Sequence, residues 1–128
     1  MRAAFAQRPL LAVDTSSAQG GIALFDGQML SVRSWPADRS HTTTALVEIH
    51  HLLAAAELEV HDLAAVAVAA GPGAFTGLRV GFGIAKGFHL ATGVPLIGVS
   101  TLEFTALPFA ICGMPIVAAV AAGRGRLV

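Results

Sequence analysis

Apolar runs broken by turn residues mark out the first third of the chain. Pro9-Leu10-Leu11-Ala12-Val13 is a short apolar run that ends in the polar turn Asp14-Thr15-Ser16-Ser17, and it reads as a buried strand. Gly20 to Phe25 follows, and Asp26-Gly27 is a strong signal for a two-residue hairpin. Gln28 to Trp35 forms the returning strand, with the partial alternation of an antiparallel edge, and Pro36 stops it. Beyond Pro36 the period changes. Leu46, Ile49, Leu53 and Ala56 recur at three- and four-residue spacing with Leu52 beside them, which predicts a helix capped by Ser40 or by one of Thr42 to Thr44.

The second half alternates strand and helix. The run from Asp62 to Ala70 ends in a strand bounded by Gly71-Pro72-Gly73. A helix from about Thr76 to Ala91 closes at Gly93, and Val94 to Val99 is another buried strand. A short helix around Leu102 to Ala110 and a last strand, Pro115 to Val120, complete the order β-β-β-α-β-α-β-α-β. A hairpin followed by strand–helix alternation predicts a mixed α/β sheet whose parallel strands are covered by helices.

Composition sharpens this picture. The chain has 128 residues, enough for one core. It is 55% hydrophobic and 12% charged, with a mean hydropathy of +0.71, whereas charged residues usually make up roughly 25% of a soluble domain. A membrane protein, a sheet buried on both faces, or a subunit covered by something else would each explain that. Phe104 to Gly123 is uncharged, but Pro108, Gly113 and Pro115 interrupt it, so it reads as a helix end, a turn and a buried strand. No membrane partner is expected. Gln7, Arg8, Pro9 and Asp14 break the apolar stretch that a secretory leader would need.

The formal net charge is zero and no basic run occurs, which excludes the electrostatic footprint of an autonomous nucleic-acid binder. Cys112 is the single cysteine, so neither an internal disulfide nor a multi-cysteine metal cage is available, and a reducing, intracellular setting fits. The five histidines, His41, His50, His51, His61 and His89, form no metal-binding pair at helical spacing.

The densest chemical signal is Gly71-Pro72-Gly73-Ala74-Phe75-Thr76-Gly77-Leu78-Arg79-Val80-Gly81, which leaves a strand, turns tightly and opens a helix. Thr76 can cap that helix, whose first amides could receive an anion. It is no P-loop, because the Gly-Lys-Ser/Thr run is absent, and Thr76 stands where a dinucleotide fingerprint has its third glycine. Asp14, Thr15 and Ser16 with Gly71, Pro72, Gly73 and Thr76 are the candidate phosphate-binding set; a strand-end Asp that satisfies turn amides is the alternative. Gly77, Gly81, Gly83 and Gly87 would each cost about 0.5–1 kcal/mol in an ordinary helix. Close backbone approach must offset this. The smooth strip Gly77, Gly81 and Ala85 can pack on the domain's own sheet or on a partner helix.

Several of these segments resemble one family. Leu11 to Ser16, Gly71 to Gly81, Ala85-Lys86-Gly87 and Pro95 to Glu103 are similar, in order, to the TsaB (YeaZ) family. The resemblance implies a ribonuclease-H-like domain of the actin-like ATPase (ASKHA) class, a mixed five-stranded sheet with helices on both faces. It also implies a cytoplasmic protein that pairs with the catalytic relative TsaD, works with the ATPase TsaE and the synthase TsaC, and reaches tRNA only through the complex. That complex places threonylcarbamoyl on N6 of adenosine 37 in tRNAs reading ANN codons.

The helices at about 40–57 and 76–92 are those by which the family packs against TsaD or, in its absence, a second copy. The expected interface residues are Leu46, Ile49, His50 and Leu53 from the first, and Gly77, Gly81, Ile84, Ala85 and Phe88 from the second. TsaD-type proteins carry two metal-binding histidines where this chain has Thr101 and Thr105, and a neutral hydroxyl is a poor ligand for iron or zinc. No catalytic residue and no metal is therefore assigned, and a non-catalytic activator subunit is expected. A metal- or ATP-dependent glycoprotease-like enzyme and a self-associating homodimer are the alternatives.

Family members run well beyond this length, so residues 1–120 are expected to form an amino-terminal lobe and 121–128 the start of a second lobe, truncated or missing. Ala121 and Arg126 stand where the family has Asp and Glu. A nucleotide, ATP or ADP, would then sit at an interface rather than inside this lobe.

Overall fold

A computed structural model describes residues 8–37 and 41–128. Five strands, β1 (Leu10–Asp14), β2 (Gln19–Phe25), β3 (Leu30–Pro36), β4 (Ala65–Ala69) and β5 (Leu96–Val99), form one sheet in the order β3-β2-β1-β4-β5. The first three pair antiparallel, while β1–β4 and β4–β5 are parallel. The sheet is therefore mixed, as the hairpin-then-alternation pattern predicts. The hairpin turn is wider than two residues: the Asp26 amide donates to the Met29 carbonyl, and Asp26 Oδ1 accepts from the amides of Gln28 and Met29. Those amides, Met29 first and Gln28 second, hold the Asp26 carboxyl below its ordinary value.

Three helices follow from the three-and-four periodicity: α1 (His41–Ala55), α2 (Phe75–Thr92) and α3 (Thr101–Ala106). The cap expected at Ser40 lies outside the described residues. Thr76 does not cap α2. Ala74 occupies that position, with φ −64° and ψ 121° and no side-chain cap bond, because the glycine turn delivers the chain to the helix two residues earlier. At the far end Gly93 takes φ +73° and its amide donates to the His89 carbonyl, the expected glycine C-cap. The helix expected over 102–110 is α-helical only to Ala106. It then tightens into a 3-10 turn over Leu107–Cys112, where Pro108 has no amide to donate.

Registered strand pairs build the core. Leu11 lies opposite Leu24 and Val66, and Val13 opposite Ile22 and Val68, so all six point to one face. Ile49, Leu52 and Leu53 of α1 and Ile84 and Ala85 of α2 close over that face and are buried with them. Each full burial of such a side chain contributes about 1.5–3 kcal/mol.

Helices cover the two faces unequally. Both long helices lie on this one face; across the sheet Phe104 of α3 reaches over the strands, while Ala12 is exposed, Val32 is 62% exposed and Ile97 43%. The expected strand at 115–120 does not join the sheet. Val120 instead exchanges hydrogen bonds with Val128, and Ala121 bridges Leu127, in a small separate hairpin. The turn over 107–112 carries the chain away from β5, and apolar composition alone names no pairing partner.

Candidate functional site

The β1 turn and the glycine loop meet at the start of α2. Asp14 Oδ1 accepts from the Ser16 amide at 3.0 Å and from Ser16 Oγ at 2.6 Å. Thr15 is fully buried and its Oγ1 donates to the Gly77 carbonyl at 2.6 Å. The Ala74 amide donates to the Ser16 carbonyl, and the Thr101 amide to the Gly71 carbonyl. Gly71 has φ +97°, and a Cβ at Gly73 would stand 2.6 Å from the Ser16 carbonyl oxygen. These glycines are required because the two turns touch backbone to backbone.

Six of the seven phosphate-site candidates thus lie at one junction, and the seventh, Thr76, lies exposed in the first turn of α2. Beside them is a cleft of about 630 Å³ lined by Asp14, Ser16, Ser17, Thr76, Thr101 and Thr105 among others. Its lining includes no Lys or Arg, and Asp14, its one charged group, is engaged by Ser16. Such a lining does not by itself fit the phosphates of ATP or ADP.

Thr101 and Thr105 sit on successive turns of α3. Thr101 is buried with its Oγ1 lacking a hydrogen-bond partner, and Thr105 is half-buried. The histidines are scattered. His50 and His51 are exposed with ring centroids 6.2 Å apart, and His61 lies between Glu59 and Asp62 at 3.1 and 3.4 Å. His89 Nδ1 is 2.8 Å from the Val94 carbonyl, tying the end of α2 to the start of the next strand. The His41 side chain lies outside the described residues. Among the described residues no group of three or more His, Cys, Asp or Glu side chains is arranged to hold a metal ion.

The interface candidates divide. Ile49, Leu53, Gly77, Gly81, Ile84 and Ala85 are buried in this chain's own packing, and of these six Ile84 also lines the groove between α1 and α2 described below. The reason for this burial is visible at Gly81, where a Cβ would stand 2.7 Å from Thr15 Oγ1 and 3.2 Å from Val68 Cγ2. Leu46 and His50 are exposed and Phe88 is half-buried.

Sequence reasoning passed over the other glycine pair. Gly83 and Gly87 would carry a Cβ into open space, on a different face from Gly77 and Gly81. With Thr42, Leu46, Arg79 and Phe88 they line a groove of about 610 Å³ between α1 and α2. Phe82 and Leu90 stand exposed on the same helix, at 37% and 83%. The signal was available in the spacing of Arg79, Gly83 and Gly87 by four residues, one helix face in its own right.

The family model described as "TsaD: tRNA N6-adenosine threonylcarbamoyltransferase" matches residues 35–128. The tRNA threonylcarbamoyladenosine biosynthesis protein TsaB of Escherichia coli (strain K12) is 37% identical over 93 residues, 73% of this chain and 40% of that protein. The chain belongs to this family, on its TsaB/YeaZ side. TsaB of Bacillus subtilis (strain 168) is 34% identical over 95 residues, covering 73% of this chain and 42% of that protein.

The solved structure of YeaZ from Pseudomonas aeruginosa superposes with TM-score 0.84 at 29% identity, over 94% of this chain and 57% of that one. RuvC of T. thermophilus (TM-score 0.53, 10% identity, 80% of this chain and 70% of that one) shares the fold alone. So does a Bacteroides thetaiotaomicron protein with an actin-like ATPase fold (TM-score 0.52, 11% identity, 81% and 38%). The ribonuclease-H-like, actin-like class expected from the resemblance is the fold of this chain. The chain spans less than half the length of the curated TsaB relatives named here.

Proposed function

We propose that this TsaB-family chain serves threonylcarbamoyladenosine formation on tRNA as a non-catalytic partner that docks a TsaD-type protein through the exposed faces of α1 and α2. The observation that carries this is the groove between the two helices. It is mostly apolar, with Leu46, Val80, Ile84 and Phe88 in its lining, and two glycines without steric neighbours open onto it. Four glycines in one helix oppose helix formation, and the domain's own packing accounts for only two of them. Close approach of a partner helix accounts for Gly83 and Gly87. In this reading the ATPase TsaE joins the complex, tRNA is reached through it, and the assembly works in the cytoplasm.

Size-exclusion chromatography of this chain mixed with a TsaD-type protein tests the reading. Co-elution is expected, and Gly83→Leu, which fills the groove from an open position, is expected to abolish it. Separate elution of the two wild-type proteins would overturn the proposal.

A further inference from the structure

We draw no further inference here: the strongest candidate, the apolar sheet face away from α1 and α2, where Ala12, Ala23, Val32 and Ala67 line a pocket of about 290 Å³ beside Phe104, carries nothing because nothing in the structure shows what covers it.

Discussion

Single residues at the β1–α2 junction show how closely packing constrains this fold. Asp14, Thr15 and Ser16 look like a phosphate-binding turn in sequence, yet Asp14 spends its carboxylate on Ser16 and Thr15 spends its hydroxyl on Gly77. The turn they hold in place stands directly against the glycine loop opposite. A methyl group at Gly73 would collide with the Ser16 carbonyl and Cβ, at 2.6 and 2.9 Å, and both belong to a buried, hydrogen-bonded turn that cannot retreat. Gly73→Ala is therefore expected to destabilise the fold by about 1–3 kcal/mol, the usual range for overpacking. Urea denaturation measures this; a variant as stable as the wild type would show that the turn yields.

At the scale of elements, α2 has two glycine faces with opposite physical reasons. Gly77 and Gly81 let the helix sit on Thr15 and Val68, while Gly83 and Gly87 face open space. Gly83→Ala and Gly87→Ala should each stabilise the isolated chain by about 0.5–1 kcal/mol, because nothing obstructs the methyl group and the unfolded chain loses freedom. Under the docking reading the same changes weaken the complex. A gain in thermal midpoint with undiminished binding would separate the two faces from any partner role. Helix and strand positions were legible in sequence because hydrophobic period is local; the division of the glycines was not. Spacing by four describes both faces equally, and only the sheet beneath decides which one is covered.

For the whole molecule, the apolar composition is answered by surfaces left open. Among the described residues no helix is long and apolar enough to cross a membrane. The hydrophobic excess resides instead on the less covered sheet face, on the outer side of α2, and in the segment after α3, where Ile111 and Val117 are more than nine-tenths exposed. Surfaces of this kind mark contacts with other chains or segments. Residues 113–128 include no buried side chain, so removing them is expected to lower stability by less than about 0.5 kcal/mol. A larger drop in the urea midpoint would mean that the 120–128 hairpin braces the sheet.

The amino-acid sequence alone determined the strand and helix order up to Val99, the tight glycine turn, and the family, because each depends on residue type at short spacing. Tertiary structure decided the rest. It placed both long helices on one face of the sheet, buried six of nine expected interface residues, and kept the 115–120 run out of the sheet. Burial depends on what lies opposite a residue in space, and no local pattern carries that information.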